Sequence, residues 1–143
     1  MKALKIKEVL EINTINEFYT VQGWVRTFRA NRFVALNDGS TLDNLQCVID
    51  FESIDESLLK QINTGAALRL KGTLVESQGG GQKVELQVEK VILLGASDPE
   101  RYPIQPKKHS LEFLREKAHL RVRTSTFSAV MRVRSALSFA VHE

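Results

Sequence analysis

Leu45–Gly65 reads LQCVIDFESIDESLLKQINTG, and a change of texture partway along it decides the fold. Its first part lies in an alternating run, Asn44–Phe51. Leu45, Cys47 and Ile49 fall on one side of that run, and Asn44, Gln46 and Val48 on the other. A period of two marks a β-strand with one covered face. At Ser53 the period changes. Ser53-Ile54-Asp55-Glu56 has the capping-box pattern. Ile54, Leu58, Leu59 and Ile62 share one face of a short helix over Ile54–Ile62. Asn63-Thr64-Gly65 then stops it.

Upstream, Tyr19–Arg29 alternates with period two, and Gly23 invites a bend. Arg32–Asp38 is a second strand, closed by the turn signal Asn37-Asp38-Gly39-Ser40. Lys5–Leu10 can form one or two amphipathic turns. Downstream, Ala67–Glu76 and Lys83–Leu94 read as strands around the flexible tip Ser77–Gln82. The order is three strands, a short helix and two strands. That is the order of the OB-fold, a five-stranded Greek-key barrel that binds oligonucleotides or oligosaccharides. A plain β-meander has no reason to place a capped helix there, and the competing SH3-like barrels lack it.

The chain has 143 residues, 43% apolar and 26% charged, enough for one ordinary core. No apolar run approaches the ~20 residues of a membrane span. The first residues carry Lys2, Lys5, Lys7, Glu8 and Glu11, which is not the pattern of a secretory signal. A single cysteine, Cys47, excludes an internal disulfide and a cysteine zinc site. The expected compartment is the cytoplasm. Net charge is +3 overall, but residues 1–100 are net −3 and residues 101–143 net +6. The step marks a segment boundary near residue 100, where a basic second segment or a solvated helix face begins. Gly95–Lys108 holds all three prolines and reads as a linker. Helices are expected over Ser110–Ala118 and from Ser125 onward, the latter with Phe127, Val130, Met131, Leu137 and Val141 near helical spacing. Glu143 follows no helix stop signal, so the expectation is a chain that ends within a helix.

Alternation divides the first three strands into faces. Val21, Gly23, Val25, Val34, Leu36, Leu45, Cys47 and Ile49 form the inner set. Trp24, Arg26, Phe28, Phe33, Ala35, Gln46 and Val48 form the outer set, with Arg29 and Arg32 close by. Such a face suits unpaired bases. An aromatic ring is a stacking platform, an amide donates and accepts at once, and arginine holds phosphate. The competing account is that the aromatics cover the barrel or pack on the N-terminal helix. Trp24, beside Gly23, fits that account better, and Phe33 fits the platform better. No catalytic constellation accompanies this face. His109, His119 and His142 show no HExxH spacing, and no P-loop, Gly-x-Ser-x-Gly or GxGxxG is present.

Three runs on these strands carry a resemblance: Gly23-Trp24-Val25-Arg26-Thr27-Phe28-Arg29, Phe33-Val34-Ala35-Leu36-Asn37-Asp38-Gly39-Ser40 and Leu45-Gln46-Cys47-Val48-Ile49. They resemble the anticodon-binding OB domain of class IIb aminoacyl-tRNA synthetases. Tyr102-Pro103-Ile104, Lys107-Lys108-His109-Ser110, Glu112-Phe113-Leu114-Arg115 and Ala118-His119-Leu120-Arg121-Val122-Arg123-Thr124 are similar to the hinge of the bacterial asparaginyl branch. Arg132-Val133-Arg134-Ser135-Ala136-Leu137 resembles the start of that branch's motif 1 helix. Two departures are the short Ala30-Asn31 loop and Val122, where the family pattern has proline.

The resemblance implies an anticodon-binding domain over residues 1–98, a hinge over 99–124 and the start of a class II catalytic domain over 125–143. It implies that Phe33 stacks on the central anticodon base, that Gln46 hydrogen-bonds that uridine, and that Arg29 contacts the anticodon loop. Arg26 joins them as the fourth nucleic-acid-binding candidate. The implied partner is tRNA-Asn. The implied whole enzyme is a homodimer that uses ATP and Mg²⁺, while motifs 2 and 3, which hold ATP, lie outside this sequence. No cofactor, metal or catalytic residue is expected in these 143 residues, nor a membrane partner. The alternative is a free-standing OB module that binds single strands or tRNA. A repurposed paralogue of a synthetase is a third reading.

Overall fold

The structure is a computed structural model describing residues 3–50, 52, 54–79 and 81–143. It divides into two compact units, Met1–Tyr102 and Pro103–Glu143.

The first unit contains α1 (Ile6–Glu11), β1 (Glu17–Arg29), β2 (Phe33–Asn37), β3 (Leu45–Ile49), α2 (Glu56–Leu59), β4 (Ala67–Glu76) and β5 (Val84–Gly95). The strands close into a barrel in the order β1-β2-β3-β5-β4. Only the β3–β5 seam is parallel. A parallel neighbour needs a crossover, and the segment carrying α2 and β4 supplies it. This is the five-stranded OB architecture expected from the element order.

Closure follows from the inward residues. Val21, Val34, Leu36, Leu45, Cys47, Ile49, Leu68, Leu70, Leu74 and Leu86 are fully buried in one cluster. Burying each such side chain contributes roughly 1.5–3 kcal/mol, which favours a closed barrel over an open sheet. Gly72 permits the closure where β4 crosses β5 at a register shift. A Cβ there would collide with the Gln87 carbonyl oxygen. Burial also pushes the Cys47 thiol well above its ordinary pKa.

The N-terminal turns are part of this core. Ile6 and Val9 of α1 are both fully buried. The helix start is capped from a distance by the turn after β2. Asp38 Oδ2 accepts from the Ile6 N–H at 3.0 Å, and Ser40 Oγ accepts from the Lys7 N–H at 3.0 Å. Glu8 reaches back to the Lys5 N–H at 2.8 Å. Three donors that a helix start leaves without partners are thereby satisfied.

The helix α2 is shorter than the Ile54–Ile62 expected. The cap is Asp55, whose Oδ1 accepts from the Ser57 N–H at 2.9 Å. Ser53, the expected cap, lies outside the described residues, as do Phe51 at the end of the third-strand run and Gly80 in the hairpin tip. After Leu59 the chain tightens into turns, with the Ile62 N–H donating to the Leu59 carbonyl. The apolar face still serves its purpose: Ile62 is buried, and Ile54 and Leu59 pack against the core.

The second unit contains α3 (Leu111–Glu116), a 3-10 turn (Arg121–Arg123) and α4 (Ser125–His142). Ser110 and Thr124 cap the two helices, their hydroxyls accepting from the N–H of Phe113 and Phe127. Ser and Thr are strong choices at that position, which is why both starts were legible. No described helix is long and apolar enough to cross a membrane.

Candidate nucleic-acid interface

The outer face of β1–β3 is set by a β-bulge. Val25 pairs with Leu36, but Thr27 pairs with Ala35, so Arg26 is an inserted residue without a ladder partner. One inserted residue reverses the side on which every later side chain falls. Simple alternation placed Phe28 on the outer face. The bulge instead sets Phe28 opposite buried Val34, where it packs against the core. It also brings Arg29 directly opposite Phe33. Arg26 stays half-buried at the bulge itself.

Two rows of outer residues result. One runs Arg29–Phe33–Val48 and continues to Gln87 of β5. The next runs Thr27–Ala35–Gln46. Phe33 and Gln46 are therefore diagonal neighbours across the β2–β3 pair, a relation that sets side chains about 7–8 Å apart. Ala35 lies between them and is too small to fill the space. A half-buried ring, a shallow floor and an amide at the far side are matched to the width of one base. Beside the first row a cleft of about 510 Å³ opens, with Arg32, Val48 and Gln87 among its walls.

Gln46 is held at several points. Its backbone N–H donates to Gln82 Oε1 at 3.0 Å, while Gln82 Nε2 donates to the Asn44 carbonyl at 2.9 Å. Gln82 thus stands in for a neighbouring strand along the first residues of β3. The Gln46 side-chain Nε2 donates to Glu85 Oε2 at 3.1 Å. The same oxygen accepts from the Ser77 hydroxyl at 3.1 Å, and Ser77 Oγ accepts from the Gly79 N–H at 3.2 Å. The hairpin between β4 and β5 therefore positions the amide. Sequence reading treated this hairpin as a flexible tip and assigned no role to Ser77, Gln82 or Glu85. Parallel pairing of β3 with β5 is what brings them to Gln46.

Arg32 was noted near the face but not counted with the site. Its guanidinium carbon lies 5.8 Å from the Phe33 ring centroid, a cation–π contact on the ring. The Arg32 N–H donates to the Arg29 carbonyl, and the Arg32 carbonyl accepts from the Ile49 N–H. Ala30 and Asn31 between them have φ of 52° and 51°, the left-handed backbone of a tight hairpin turn. Their shortness keeps Arg29 and Arg32 at the edge of the Phe33 ring. Trp24, expected to close the barrel, instead lies outside the core at 38% exposure, opposite Asn37 and Ala67.

Comparison with known proteins agrees with this arrangement. The sequence pattern of the family described as OB-fold nucleic acid binding domain matches residues 19–94, from β1 to the last residues of β5. The chain is 51% identical to an asparagine–tRNA ligase of Cytophaga hutchinsonii, over 99% of this chain and 32% of the relative. It is 47% identical to the enzyme of the same name from Parabacteroides distasonis, over 100% of this chain and 31% of the relative. The chain thus spans about a third of the length of the curated relatives it matches. Among solved structures, asparaginyl-tRNA synthetase from Pyrococcus horikoshii complexed with asparaginyl-adenylate superposes with a TM-score of 0.81. That superposition covers 99% of this chain and 33% of the other at 22% identity, a likeness of fold. With its five strands, their closure and most of its length matched, the chain belongs to the family of OB-fold nucleic acid binding domains.

Proposed function

We propose that this chain is the tRNA-reading part of an asparagine–tRNA ligase, and that the outer face of β1–β3 binds the anticodon loop of tRNA-Asn. The observation that carries the reading is 51% identity to such a ligase across 99% of the chain. The arrangement of the outer face supports it.

In this reading a central uridine, unpaired in the loop, stacks on Phe33, and Gln46 bonds its Watson–Crick edge. Such an edge is accessible only in a single strand. Arg29, opposite Phe33, and Arg26, at the bulge, neutralise the flanking phosphates. Arg32 leaves the ring or closes over the incoming base. The first unit is net acidic, so attraction to RNA is local to this arginine cluster. The basic second unit is the hinge, and α4 begins the catalytic domain. Val130, Val133, Leu137 and Val141 lie exposed at helical spacing on α4, which suits a parent protein that assembles as a homodimer. The whole enzyme works in the cytoplasm and activates asparagine with ATP and Mg²⁺. Among the described residues no group of three or more His, Cys, Asp or Glu could hold a metal ion, and no step is assigned to one in this chain.

Binding of an RNA stem-loop with a central loop uridine tests the proposal. Phe33→Ala should lose ~1–3 kcal/mol of affinity, the worth of one base–aromatic stack. Equal binding by variant and wild type would refute the stacking role.

A further inference from the structure

We propose that Glu85 locks the Gln46 amide with Oε1 toward the base, so that the site selects uracil over cytosine. This rests on the outer face being the anticodon-binding surface. A glutamine amide alone is ambivalent. Rotation about its last bond exchanges an acceptor for a donor at little cost, so a free amide pairs with either pyrimidine. Uracil presents N3–H as donor beside O4 as acceptor. Cytosine presents N3 as acceptor beside the N4 amine as donor. The two patterns require opposite amide orientations.

Glu85 removes the ambivalence. An ionised carboxylate only accepts, so the Gln46 group facing Glu85 Oε2 at 3.1 Å is Nε2. The carbonyl Oε1 then points away from Glu85, toward the base position, and accepts uracil N3–H. The second hydrogen on Nε2 remains for uracil O4. To pair with cytosine the amide must rotate, and Oε1 would then face the carboxylate, acceptor against acceptor. Glu85 is itself oriented. The Ser77 hydroxyl accepts from the Gly79 N–H and so turns its own hydrogen to Glu85 Oε2. The donors run in one direction, from Gly79 through Ser77 to Glu85. The charge on Glu85 makes it a positioning residue, since a neutral amide in its place would accept either orientation of Gln46.

The test uses the full 143-residue chain and two RNA stem-loops that differ only by uridine or cytidine at the centre of the loop. Wild type should prefer uridine. Glu85→Gln keeps the shape and removes the acceptor-only charge. It should lower the uridine-to-cytidine ratio about tenfold, mainly by strengthening cytidine binding, the scale of one charge-assisted hydrogen bond. In a Gln46→Ala background the same change should leave the ratio unaltered, which a general structural effect would not. Ser77→Ala, which loosens Glu85 without touching Gln46, should lower the ratio about threefold, a fraction of one hydrogen bond. It stands in if Glu85→Gln melts at the assay temperature. An unchanged ratio in a folded variant that still binds would overturn the lock alone. Failure of wild type to bind either stem-loop would overturn the anticodon reading together with it.

Discussion

The inner and outer faces of β2 and β3 are made by the same two strands, yet they answer to different physics. Inside, Val34, Leu36, Leu45, Cys47 and Ile49 are sealed in the core. Outside, Phe33, Ala35, Gln46 and Val48 all keep partial access to water. The inner residues are apolar and closely packed, so their contribution is to stability, through area removed from water. The outer residues mix a ring, a gap and a held amide. Their hydrogen bonds, around Gln46, Gln82 and Glu85, fix orientation more than they seal volume. A mutation inside should move the melting transition and leave base preference alone, and a mutation outside should do the reverse.

Leu36→Ala gives the largest expected effect. It should cost ~2–5 kcal/mol in a denaturant titration, because it opens a cavity in a fully buried cluster. The fraction still folded should keep the wild-type preference between bases. A variant that shifts that preference would show that the two faces are not separable.

A second prediction concerns the inner thiol and pH. Folding raises the Cys47 pKa by desolvation, so the folded chain holds its proton while the unfolded chain releases it above about 9. The contribution is complete below that pH and is lost as pH rises. Stability should fall by about 1.4 kcal/mol per pH unit above 9, relative to Cys47→Ala. Parallel stability curves for the two proteins would contradict this account.

Smaller effects test the segments that frame the two faces. Asp38→Ala removes the cap that the β2–β3 turn gives to α1 and should cost ~1 kcal/mol in chemical denaturation. The loss should appear as earlier hydrogen exchange at Ile6 and Lys7, with RNA binding retained. Ala30→Gly relieves a left-handed alanine in the turn beside Phe33. It should raise stability by about 1 kcal/mol, against the entropy glycine adds to the unfolded chain. If the looser turn also lowers RNA affinity, the strain serves to hold Arg29 and Arg32 in place.

Much of the barrel was written in local pattern. Strand periodicity at Tyr19–Arg29 and Asn44–Phe51, the helix between β3 and β4, and the Ser110 and Thr124 caps are all signals carried within a few residues of chain. So was the pairing of Phe33 with Gln46, since both sit on the outer phase of strands short enough to keep their alternation. Phe28 and Arg29 were not legible in the same way. Their sides depend on the bulge at Arg26, and a bulge is decided by how β1 must bend to meet both β2 and β4.

By itself, the sequence determined the order of the elements, the inner apolar set and the chemical character of the outer face, because propensity and burial act residue by residue. Only the tertiary structure decided that Phe28 turns in, that Arg29 stands opposite Phe33, and that Glu85 and Ser77 hold the Gln46 amide. Glu85 is 39 residues from Gln46, and Ser77 is 8 residues from Glu85. What brings them together is closure of the barrel through the one parallel seam, a condition on the whole sheet that no local stretch of sequence states.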